Sequence, residues 1–64
     1  MLSGTVKIWN SSKGWGFISG DDGEDYFVNV SGVRSGQKLH QGLRVKFDTT
    51  ETQRGTQAEN VTLF

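Results

Sequence analysis

A chain of 64 residues has room for one domain and a small core, because at this length only about 60% of the unfolded surface is buried on folding. Seven basic residues against seven acidic ones leave no net charge, so any attraction to a polyanion has to be local rather than global. The absence of cysteine excludes disulfides, thiolate metal sites and cysteine nucleophiles, and it suits a reducing compartment.

Nine glycines and no proline favour short strands joined by tight turns. Thr5–Trp9 alternates with period two: Val6 and Ile8 fall on one side, Lys7 and Trp9 on the other. By that count Ile8 enters the core and Trp9 faces out, whereas a bulge near Asn10 would exchange them. Trp15–Ser19 and Asp25–Val30 read as a hairpin closed by Asp21-Asp22-Gly23-Glu24. Ile18, Val28 and Val30 form its buried side, and Tyr26 joins them with its hydroxyl reaching the rim. Ser31–Gly42 is a polar loop long enough for a short helical turn. Arg44–Thr49 turns Val45 and Phe47 inward, Thr52–Gly55 is a turn, and Gln57–Leu63 is a fifth strand carrying Ala58, Val61 and Leu63. No window carries a helical stripe. Five short strands in this length predict an all-β barrel, since closure removes exposed sheet edges.

Trp15, Phe17 and Phe27 are left on a face shared with Ser19, Asp25 and Asn29, which is a face for water. Aromatic residues two apart on a strand, with a third on the paired strand, make a platform on which bases stack with little sequence demand, at ~1–3 kcal/mol per base. Gly14 and Gly16 leave the rings and backbone open to a strand. Lys7 and Lys13 flank the rings and are placed to neutralise phosphates.

Lys13-Gly14-Trp15-Gly16-Phe17-Ile18 resembles the first ribonucleoprotein motif, and Tyr26-Phe27-Val28-Asn29-Val30-Ser31 resembles the second such motif of the cold-shock domain. Gly4-Thr5-Val6-Lys7 with Asn10 is similar to that family's opening strand, and Gln57-Ala58-Glu59-Asn60-Val61 to its closing strand. The resemblance runs the length of the chain. It implies a single cold-shock-like domain over 1–64, a small five-stranded antiparallel OB-fold barrel that binds single-stranded RNA or DNA with a pyrimidine preference, often as a nucleic-acid chaperone. The departures are specific. The family usually reads Lys-Trp-Phe-Asn where this chain has Lys7-Ile8-Trp9-Asn10, and Phe-Val-His-Phe where it has Phe27-Val28-Asn29-Val30. The Arg34–Gln41 loop is shorter than usual and lacks an aromatic, and Gly55-Thr56-Gln57 replaces Gly-Pro-Gln.

The expected nucleic-acid site is therefore Lys7, Trp9, Lys13, Trp15, Phe17, Phe27, Asn29, Arg54 and Gln57. Asn29 stands where a base edge could be hydrogen-bonded, and Arg54 and Gln57 lie near the last turn. The acids Asp21, Asp22, Glu24 and Asp25 lack the spacing of a calcium loop and read as a solvated turn that repels phosphate. His40 has no acid or cysteine partner in sequence and reads as a solvent histidine. Gly14-x-Gly16 is not followed by a βαβ unit, so a dinucleotide site is excluded. No base, nucleophile and orienter converge, so no enzyme is expected, and no cofactor, metal or small-molecule substrate. Met1–Trp9 has no apolar run of signal length, and no segment is long enough to span a membrane. A monomer in the cytoplasm is expected, with no membrane partner, and the glycosylation-like triplets at Asn10, Asn29 and Asn60 are without meaning there. The competing reading is a protein-interaction barrel, whose aromatic groove takes a peptide or a methylated lysine with Asp25 as the acid.

Overall fold

A computed structural model describes residues 1–34 and 38–64. Its elements in chain order are β1 (Leu2–Asn10), β2 (Trp15–Gly20), β3 (Asp25–Asn29), a 3-10 turn η1 (Val30–Gly32), β4 (Arg44–Thr52) and β5 (Gly55–Leu63). The strands close into a barrel in the order β1-β2-β3-β5-β4. β1 pairs antiparallel with both β2 and β4, and β2 with β3 and β4 with β5 are antiparallel as well. The seam that shuts the barrel, β3 against β5, is parallel and short, pairing Phe27 with Gln57 and Val28 with Ala58.

The interior is the set of alternate residues the pleat turns inward: Val6, Ile18, Tyr26, Val28, Val45, Phe47, Ala58 and Val61, all buried. Each fully buried large apolar side chain contributes about 1.5–3 kcal/mol relative to exposure. Among the described residues the Tyr26 hydroxyl, bonded to Asp22, is the one polar side-chain group carried by a buried residue, so the barrel has little internal desolvation cost of that kind. Leu39 is also buried. It sits in the stretch expected to be a polar loop and joins the core cluster from outside the strands. The short helical turn expected in that loop is η1, capped by Asn29, whose side-chain oxygen accepts from the Ser31 amide. Residues 35–37, part of the same loop, lie outside the described residues.

Three assignments from simple alternation fail, two inward and one outward. β1 pairs Val6 with Ile18 and then Ile8 with Phe17, so Lys7 is an extra residue without a partner on β2. That bulge reverses the parity of everything beyond it. Ile8 is consequently 47% exposed rather than in the core, and Trp9 is half-buried and packs against the core cluster. Val30, expected inside, is 57% exposed because the chain leaves β3 at Asn29 and enters η1. β5 has its own irregularity: Ala58 and Val61 are both buried although they differ in parity. The register shifts between Lys46 and Asp48 of β4, and opposite it Asn60 adopts φ 52°, a left-handed geometry that asparagine tolerates better than branched residues.

The acidic turn is also more than a solvated loop. Arg44 donates two hydrogen bonds to the Asp21 carboxylate, each of 2.8 Å, and Ser3 donates a third at 2.9 Å. These hold the Asp21 pKa down to about 2, the Arg44 bond being the larger cause. Tyr26 donates to Asp22 at 2.5 Å, as its rim-reaching hydroxyl predicts. The Asp22 bond pushes the Tyr26 phenol up to about 12, with burial adding to the effect, and the same bond lowers Asp22. Two of the four acids thus tie the hairpin tip to β1, β3 and β4.

Candidate nucleic-acid interface

The platform is built by register. β2 lies between β1 and β3, and the pairing sets Phe17 between Ile8 and Phe27, and Trp15 between Asn10 and Asn29. The parallel seam adds Gln57 beside Phe27 on the same outward side, because their neighbours Val28 and Ala58 are both buried. The outward surface therefore reads, across four strands, Ile8, Phe17, Phe27, Gln57.

The three rings are half-buried and touch one another. Trp15 and Phe27 lie with centroids 6.4 Å apart and planes only 19° from parallel. Phe17 meets Phe27 at 5.6 Å and Trp15 at 6.1 Å, edge-on to each. Edge-to-face contacts of this kind hold rings in place without covering their outer faces. Those faces are what a base would stack on.

Gly16 shows why the platform has glycine beneath it. A side chain there would press on the Ile8 carbonyl and on the Trp9 indole, which lies across the inner face of β2. Trp9 is therefore separated from Trp15, Phe17 and Phe27 by the sheet itself. Its free edge opens instead into a largely apolar cleft with Ser11, Val30 and Leu39. The residue that joins the rings from β1 is Ile8, an aliphatic neighbour to Phe17 that simple alternation assigns to the core. A usable signal was present: a glycine on the inner face of a strand invites a large side chain from its neighbour, and Trp9 is the residue opposite Gly16.

The other expected contacts fall at different places. Lys7 is exposed on the bulge and donates to Asp25 at 3.1 Å, so it faces a fixed carboxylate at one end of the platform. Lys13 is exposed at the opposite end, in the turn before Trp15, where its amide is anchored by the Asn10 side chain. It forms no ion pair among the described residues. Asn29 stands beside Trp15, but its side-chain oxygen is engaged by the Ser31 amide and hydroxyl. Arg54 is exposed in the β4–β5 turn. Its amide bonds to Thr52. His40 is exposed with Nδ1 against the Gln41 carbonyl, as a solvent histidine would be. No group of metal-ligating side chains occurs among the described residues. Among the described residues no helix is long and apolar enough to cross a membrane.

Charge divides the platform end to end. Asp25 and the tip acids Asp21, Asp22 and Glu24 occupy the hairpin end, while Lys13 occupies the Trp15 end. Past Gln57 and Asn29 the surface drops into a groove of about 260 Å³ between η1 and β5.

A family model described as the "Cold-shock" DNA-binding domain matches residues 2–64 of the chain. Among similar proteins, the Major cold shock protein of Streptococcus pyogenes serotype M6 is 50% identical over 64 residues, which cover 97% of this chain and 96% of that one. Cold shock protein ScoF of Streptomyces coelicolor is 48% identical over 65 residues, 97% of each chain. Cold shock protein 1 of Lactiplantibacillus plantarum is 46% identical over 63 residues, 95% of this chain and 96% of its own.

Proposed function

The chain belongs to the cold-shock domain family, and from that premise we propose that it binds single-stranded RNA or DNA by stacking bases on Trp15, Phe17 and Phe27, and so keeps weak secondary structure open. The observation that carries this reading is the outward cluster of three mutually braced rings, which the core does not need. In this reading the chain acts as a single domain and a monomer in the cytoplasm, without catalysis or a cofactor. Opening a hairpin then needs only selective binding of the open form, which shifts the equilibrium by mass action. A duplex binds poorly, since paired and stacked bases do not offer their faces. Asp25, the acid that the methyl-lysine reading calls on, accepts from Lys7, which weighs toward the single-strand reading.

Titration with an oligothymidine, followed by tryptophan fluorescence, tests it. Phe17→Ala and Phe27→Ala each weaken binding by ~1–3 kcal/mol while circular dichroism retains the barrel signal. Two folded variants that bind as tightly as the wild type would sink the stacking mechanism.

A further inference from the structure

We propose that the groove between η1 and β5 is a base-reading slot that selects guanine from the strand held on the neighbouring rings; this rests on the single-strand reading above. The groove begins where the platform ends. Two of its wall residues belong to both: Asn29, opposite Trp15, and Gln57, beside Phe27. A strand lying across Phe17 and Phe27 reaches Gln57 next. It is turned away from the hairpin end by Asp22 and Glu24, the two tip acids that no cation pairs among the described residues.

The walls differ in kind from the platform. They present Ser31, Arg34, Thr50 and Glu59 along with Asn29 and Gln57, so hydrogen bonding replaces stacking. The Asn29 side-chain oxygen is engaged by the Ser31 amide and hydroxyl. Among the described residues the side chains of Arg34, Gln57 and Glu59 have no hydrogen-bond or ion-pair partner. The volume, about 260 Å³, falls just below the span of pockets that take drug-sized ligands and suits one ring system.

Glu59 decides which base. A carboxylate repels phosphate, but it can accept hydrogen bonds from the donor edge of a base. Guanine offers such a carboxylate two donors, its N1–H and N2 amino group, and offers a guanidinium two acceptors, O6 and N7. Adenine has an unprotonated N1 next to its amino group, cytosine an unprotonated N3, and thymine or uracil a single N–H flanked by carbonyls. Guanine alone pairs a carboxylate on one edge and an arginine on another.

The test moves a single guanine through each position of a short oligothymidine and measures affinity by anisotropy of the labelled strand. At one position guanine tightens binding about five- to tenfold, adenine does not, and inosine, which lacks the N2 amino group, recovers only part of the gain. In Glu59→Gln the gain disappears while all-thymine binding is no weaker than wild type. Absence of a gain at every position, or a gain that survives Glu59→Gln, overturns the slot. Failure of the all-thymine strand to bind is a separate outcome, and it overturns the stacking reading on which the slot rests.

Discussion

Replacing Ile8 with tryptophan should add a fourth ring to the platform. Ile8 is paired with Phe17, faces outward and is 47% exposed, so a larger side chain there meets solvent rather than core. One stacked base is worth ~1–3 kcal/mol, but isoleucine already supplies some apolar contact. A gain near ~1 kcal/mol is therefore expected, about fivefold in affinity. The companion variant is Trp9→Ala. A fully buried tryptophan costs ~3–5 kcal/mol on truncation, and the half-buried Trp9 should cost about half of that. For a domain this small that is a large share of the total stability, so its denaturation midpoint should fall steeply. Labelled oligothymidine anisotropy, which is blind to the number of tryptophans, reads the first variant, and urea titration reads both. If folded Ile8→Trp binds no better than wild type while Trp9→Ala keeps its stability and loses binding, the bulge at Lys7 is misassigned and Trp9 is the platform ring.

Asp25→Asn should release Lys7 from its carboxylate for phosphate, steepening the log affinity against log salt plot by about 0.7, the increment for one phosphate on a single strand; an unchanged slope would remove Lys7 from the interface. The Asp21–Arg44 pair should make stability acid-sensitive. Because the folded Asp21 pKa is depressed to about 2, its contribution is complete above the unfolded value of 3.8 and is lost as pH falls through about 2. Wild type should therefore melt above Arg44→Ala near neutral pH, with the difference closing across that acid window; a difference that stays constant would assign it to packing. Gly16→Ala should destabilise the barrel by ~1–3 kcal/mol or more, since the new methyl group presses on the Ile8 carbonyl and the Trp9 ring. A melting temperature equal to wild type would show that Trp9 does not lie over β2.

What the sequence determined by itself is everything that depends on local periodicity and side-chain chemistry. Alternation placed five strands within a few residues of their observed bounds, turned Ile18, Val28, Val45 and Phe47 inward, and left Trp15, Phe17 and Phe27 on the outer face. The glycines marked the turns, and the two aromatic motifs carried the family. What only the tertiary structure decided is everything that depends on which strand lies opposite. The Lys7 bulge exists because β1 has one residue more than β2 can pair, and no count along β1 reveals it. Ile8 and Trp9 exchange faces there, so the platform's fourth position is aliphatic. Asp21 looked solvated because its partners lie far away in sequence, Arg44 on β4 and Ser3 on β1. The groove beside Gln57 likewise forms only when η1 comes to rest against β5, joined by the Arg34 amide and the Val61 carbonyl. Periodicity is a property of one strand, whereas bulges, ion pairs and grooves belong to pairs of strands, and closing the barrel is what brings those pairs together.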